Sequence, residues 1–186
     1  MHDTPNRSGS IPAFTFLLFV VLSLAGCDTE NPPNTVDFVD LQRYAGTWYE
    51  IAKIPNRFQK QCVRNTTAHY ASRTDGRLDV TNRCITEDNS LDEASGIARI
   101  VDPETNAKLE VSFVNLLGVQ LFWGDYWIIS LDDDYQTVIV GTPNRKYGWI
   151  LSRTPTIDET RMAALKTQLR QQGYNPQQFE TSRQGA

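Results

Sequence analysis

Gly46-Thr47-Trp48-Tyr49-Glu50-Ile51-Ala52 is the stretch on which the fold turns. It opens a β-like run over 46–54, rich in residues that fit a pleated surface. Seven more runs follow, at 63–72, 77–84, 94–101, 107–114, 125–132, 135–141 and 147–153. Leu109, Val111 and Phe113 share one face, and Lys108, Glu110 and Ser112 the other, the period-two mark of a strand. The separators carry turn chemistry: Thr74-Asp75-Gly76, Asp102-Pro103-Glu104-Thr105-Asn106, Asp132-Asp133-Asp134 and Thr142-Pro143-Asn144. Short runs at this regular spacing predict an all-β barrel or sandwich.

One helix is expected after the last run. Thr156-Ile157-Asp158-Glu159 fits a capping box, with Thr156 as N-cap and Glu159 three positions on. Met162, Leu165 and Leu169 form an apolar stripe that packs outside the barrel, and Gly173 stops the helix.

Composition narrows the function classes. The net charge is -4 over 186 residues. Without clustered Lys and Arg, a nucleic-acid partner is not expected. After residues 1–26, His69 is the one histidine left, on a Thr-rich run with no G-x-S-x-G elbow nearby. Neither H-E-x-x-H nor C-x-x-C occurs, and Asp132–Asp134 lacks calcium-loop spacing. No catalytic residue, metal or cofactor is expected.

Three motifs in order resemble the lipocalin family, in particular its bacterial and apolipoprotein D-like members. They are Gly46-x-Trp48 at the first strand, Asp134-Tyr135 between the sixth and seventh, and Arg153 at the end of the eighth. The stretch from Asp102-Pro103 to Phe113 resembles the same branch. The resemblance covers about residues 38–180 and implies an eight-stranded up-and-down antiparallel barrel with one C-terminal helix outside. It implies that Trp48 plugs the closed end with Arg153 lying across it, a cation–π contact of about 0.5–2 kcal/mol. The turns at 74–76, 102–106 and 132–134 then share the closed end. Residues 55–62, 85–93, 115–124 and 142–146 share the open one. Residues 115–124 are unusually apolar for a loop, and are expected to line the entrance, touch lipid or contact a partner.

The N-terminus reads as an address. Ala13–Leu22 is apolar apart from Thr15, shorter than the roughly 20 residues of a membrane span and suited to a secretory signal. It runs into Leu24-Ala25-Gly26-Cys27, which resembles the lipobox of bacterial lipoproteins. That resemblance implies a signal peptide over 1–26, acylation of Cys27 with diacylglycerol and an N-linked chain such as palmitate, and a tether over 27–37. The domain proper is expected at 38–182. The implied location is the outer membrane, with the inner membrane as the alternative because Asp28 follows the cysteine. Two cysteines remain. Cys62 precedes the second run and Cys84 ends the third, roughly opposite each other across the 74–76 hairpin, so a disulfide is expected.

Alternation groups Val111 with Phe113, and Tyr126 with Ile128 and Ser130. The family barrel implies that these face inward with Trp149, and that Trp123 belongs to the entrance. With a Tyr126 hydroxyl for a polar head, such a wall suits a fatty acid or lysophospholipid. The expected function is non-enzymatic binding of that amphiphile for storage or transport, with room for a homodimer. The alternatives are a lipid- or isoprenoid-modifying enzyme, or a structural envelope protein with a filled barrel, since eight strands permit a filled interior or one small ligand.

Overall fold

Alternating side chains and short turns close this chain on itself. A computed structural model describes residues 1–2 and 31–185; the rest of the expected signal peptide, Cys27 and Asp28 lie outside the described residues. The barrel strands are β1 (Gly46–Lys53), β2 (Arg64–Ser72), β3 (Leu78–Ile85), β4 (Leu91–Ile100), β5 (Lys108–Ser112), β8 (Gly124–Leu131), β9 (Thr137–Gly141) and β10 (Gly148–Ser152). Each is antiparallel to its neighbours in the order β10-β9-β8-β5-β4-β3-β2-β1, and β10 pairs with β1 to close the ring. Between β5 and β8 stands a separate hairpin of β6 (Val114–Leu116) and β7 (Val119–Leu121), where the sequence suggested only a loop.

Side chains sort into two layers. Inside lie Trp48, Tyr70, Leu78, Val80, Ala98, Leu109, Tyr126, Ile128, Val138, Val140 and Leu151. Outside, Ile51, Ile129, Ile139 and Ile150 meet Leu165 and Leu169 of α2 (Glu159–Gln171). The N-cap of α2 is Asp158, not Thr156: its carboxylate accepts the Arg161 N–H at 2.7 Å. The Thr156 carbonyl instead accepts the Thr154 hydroxyl at 2.7 Å, which keeps Thr156 in the approach to the helix.

Of the three bulges among the described strands, two bear on the interior by reversing the alternation, as an extra residue on one strand must. In β1 the register shifts between Glu50 and Ala52; Glu50 sits opposite inward Leu151, and Lys53 opposite Trp149. In β8 it shifts between Ile128 and Ser130. Ser130 therefore turns outward, donating to Gln168 Oε1 of α2 at 2.8 Å, and does not share the face of Tyr126 and Ile128.

Residues 31–40 and 180–185 are both stitched to the barrel. Residues 31–37, read as part of a tether, dock along it: Pro33 is buried, the Asn34 N–H reaches Gln172 Oε1, and the Val36 N–H bonds the Ile128 carbonyl. Residues 38–40 lead into a short helix, α1 (Leu41–Tyr44), capped by Asp40. At the other end, β11 (Glu180–Thr181) pairs with Ala52 and Lys53. The following residues wedge between β1 and β2: the Asn65 N–H bonds the Arg183 carbonyl, and Gln184 Nε2 bridges the carbonyls of Glu50 and Thr66 at 2.8 and 2.9 Å.

Candidate functional site

The interior divides into a solid floor and an upper half whose inward side chains are small and partly exposed. On the floor, Trp48 is fully buried and its indole N–H donates to the Tyr44 carbonyl at 2.9 Å. Arg153 lies 3.8 Å from the Trp48 ring centroid. Its guanidinium donates to the carbonyls of Thr47, Arg43, Tyr44 and Ala45 at 2.7–3.1 Å, and to that of Tyr135 at 3.3 Å. Gly46 (φ +95°) passes beneath: a Cβ there would stand 3.3 Å from Arg153 Nη1 in a backbone conformation that L-residues avoid. Tyr135 occupies a turn rather than the start of β9, with φ 58°, and its hydroxyl accepts the Asp40 N–H. Asp134 is exposed beside it.

Three buried phenols complete the floor. Tyr126 bridges Tyr44 and Tyr70, with O···O distances of 2.7 and 2.8 Å. Burial pushes the Tyr70 hydroxyl up to about 12 and raises the other two as well, so the chain is neutral at physiological pH. This differs from the expected place of Tyr126: its hydroxyl serves the floor, not a polar head at the mouth.

The upper half has thinner walls. Cross-strand register sets Ala68, Asn82 and Ala94 in a row just above that of Tyr70, Val80 and Gly96, where the floor begins, all on the inward face. A Cβ on Gly96 would come within 2.5 Å of the Ser112 carbonyl and 2.7 Å of the Phe113 ring; the missing side chain lets Phe113 fold over β4 at the rim, where it stays 39% exposed. Val111 and Trp149 pack on the inner layer. Trp149 stacks on Tyr147, which meets Phe58 in turn, at centroid distances of 6.2 and 5.6 Å. Trp123 lies elsewhere: Arg99 stands 4.1 Å from its centroid, and Arg99 pairs with Glu110 on the outer face.

A polar network crosses this upper half that motif reading passed over. The Glu50 carboxylate, with a side chain 3% exposed, accepts from Lys53 Nζ at 2.9 Å, Gln59 Nε2 at 2.6 Å and the Ser182 hydroxyl. Gln59 Oε1 accepts from the Trp149 indole at 3.0 Å. Parity marks Glu50 in the sequence, two residues after inward Trp48; Lys53 is hidden by the bulge. Cys62 and Cys84 form the disulfide, with Cα atoms 5.5 Å apart. Their sulfurs and the Asp92 carboxylate lie within 4.8 Å of one another, but bonded sulfurs do not ligate metal. His69 lies on the outer surface, its Nδ1 3.0 Å from Thr47 Oγ1.

A closed eight-stranded antiparallel barrel, plugged at one end by a tryptophan under an arginine, is the build of a lipocalin. The family model described as a lipocalin-like domain matches residues 39–184, and the chain belongs to this family. Among particular relatives, outer membrane lipoprotein Blc of Escherichia coli K12 is 38% identical over 161 residues, spanning 84% of this chain and 87% of its own. Apolipoprotein D of Mus musculus is 30% identical, spanning 83% and 81%. Insecticyanin from the tobacco hornworm Manduca sexta superposes with a TM-score of 0.63 at 22% identity, over 82% of each chain, a likeness of fold.

Proposed function

We propose that the barrel binds one single-chain amphiphile, a fatty acid or lysophospholipid, and stores or carries it in the bacterial envelope without transforming it. The observation that carries this reading is the divided interior. The floor is filled by Trp48 and the tyrosine chain, whereas Ala68, Ala94 and Gly96 leave the upper half poor in side-chain volume. An acyl chain lying against Val111, Phe113 and Trp149 gains about 0.8 kcal/mol per buried CH₂. Its head would meet Glu50, Lys53 and Gln59 at the mouth. The absence of transformation is supported by the exposed place of His69 and the pairing of Cys62 with Cys84. The Leu-Ala-Gly-Cys27 boundary and the similarity to an outer membrane lipoprotein support acylation at Cys27 and an outer-membrane location.

The test is native mass spectrometry of the membrane-extracted chain, together with titration of a fluorescent lysophospholipid. Wild type is expected to carry lipid and to bind the probe saturably. Phe113→Asp at the half-exposed rim should weaken binding roughly tenfold or more, by the loss of one large apolar contact. A wild-type chain that holds no lipid and shows no saturable binding overturns the reading.

A further inference from the structure

Asn31 and the most apolar surface of the barrel lie at the same end. Residues 113–122, Phe-Val-Asn-Leu-Leu-Gly-Val-Gln-Leu-Phe, carry no charge. They form the β6–β7 hairpin, paired only with itself. Leu117 is 97% exposed and Phe122 82%. Both have positive φ, 52° and 57°, a conformation that large side chains seldom adopt. The fold thus holds two large apolar groups out into water, where burial would favour them. Phe58, 57% exposed, stands at the same end beside Tyr147. The opposite end is charged: Arg73, Asp75 and Arg77 occupy one turn, and Asp132, Asp133 and Asp134 another.

The chain enters the described structure at the mouth. The Asn31 carbonyl accepts from Arg145 Nη2 at 2.6 Å, in the turn between β9 and β10. From there residues 31–39 follow the wall to the floor, where the Val39 N–H bonds the Thr105 carbonyl. Three residues separate Cys27 from Asn31, a reach of at most roughly 15 Å at 3.8 Å per Cα step.

We infer that the β6–β7 hairpin inserts its tip into a lipid bilayer surface and that the barrel stands mouth-down on the membrane. This rests on the reading of Cys27 as acylated. An anchor so short cannot let the floor face the bilayer, because residues 31–39 have already bound the chain along the barrel from mouth to floor. A hairpin free of charge meets no desolvation cost of ions on entering the interface, and its strained, exposed tip gains the burial that the fold withholds.

The experiment uses the full chain extracted from membranes, its acylation verified by mass, in vesicles of phosphatidylethanolamine and phosphatidylglycerol. A polarity-sensitive dye is placed through Leu117→Cys, and in a second variant through Glu104→Cys at the opposite end. The dye at 117 is expected to shift to the blue on reconstitution and to be quenched by spin-labelled lipid, while the dye at 104 does neither. Leu117→Asp should leave lysophospholipid binding from detergent solution unchanged, since this side chain points away from the barrel. A dye at 117 that stays in water overturns the inference. So does a blue shift that appears without vesicles and grows with protein concentration, which would mean that a second copy covers the hairpin. An extracted chain without acyl groups removes the anchor and overturns it too. Saturable lysophospholipid binding alongside a water-exposed hairpin defeats the membrane contact alone and leaves the amphiphile reading standing.

Discussion

Arg153→Met isolates what one guanidinium contributes to the floor. Methionine keeps an apolar stem over Trp48 and removes every donor. Of the carbonyls that Arg153 serves, that of Tyr44 retains a donor in the Trp48 indole; those of Arg43, Thr47 and Ala45 lose a charged partner at 2.7–2.9 Å, and that of Tyr135 only a longer one at 3.3 Å. A bond to a charged group is worth about 1.5–3 kcal/mol when buried, but Arg153 is only partly buried, so about 0.5–1 kcal/mol for each of the three is the appropriate scale. The cation–π contact at 3.8 Å adds about 1 kcal/mol. The expected loss is about 3 kcal/mol, which lowers Tm by roughly 6–12 °C for a domain of this size. Urea titration followed by tryptophan fluorescence should show a lower midpoint with an unchanged slope. Arg153→Lys, which keeps the charge but cannot span all the carbonyls, should fall between the two. The reasoning is refuted if Arg153→Met unfolds within about 1 kcal/mol of wild type. It is also refuted if a double-mutant cycle with Trp48→Phe shows no coupling between the two positions.

Two further predictions concern the interior and its staple. Reducing the Cys62–Cys84 bridge, which spans a sequence separation of 22, should cost about 3 kcal/mol in the chain-entropy model, read as a shift of the urea midpoint with and without reductant; an unchanged midpoint would count against it. The buried phenols should make the fold sensitive to alkali. Burial favours the neutral form and raises their titration above the unfolded value, so their contribution is intact below about pH 10 and is lost as the pH climbs through about 12, where Tyr70 ionises. Phenolate absorbance and circular dichroism should change together across that window; ionisation of all seven tyrosines near pH 10 with the fold intact would contradict the buried chain.

Much of this architecture is legible in period and turn chemistry. Leu109, Val111 and Phe113 alternate as written, and the turns at 74–76, 102–106 and 132–134 fall between paired strands. What escapes is whatever a single inserted residue decides. Lys53 and Ser130 look outward and inward respectively by simple counting, and a bulge reverses each. Tyr126 faces inward as its parity requires, yet parity cannot say that its hydroxyl meets Tyr44, 82 residues away. Trp123 follows a hairpin, so no strand parity applies to it. The Thr156 and Asp158 caps differ by two positions, and the choice falls to the carboxylate that reaches the Arg161 N–H.

The C-terminal wedge bears on how the molecule is made. Gln184 holds the Glu50 carbonyl across 134 positions of sequence, and Ser182 reaches the Glu50 carboxylate across 132. The gap between the first two strands is therefore filled by residues that leave the ribosome long after those strands do. Until they arrive, both strand edges stand unpaired, and pairings of such long range are slow to form. A nascent chain of this design leaves that gap open until residues 182–184 have been made.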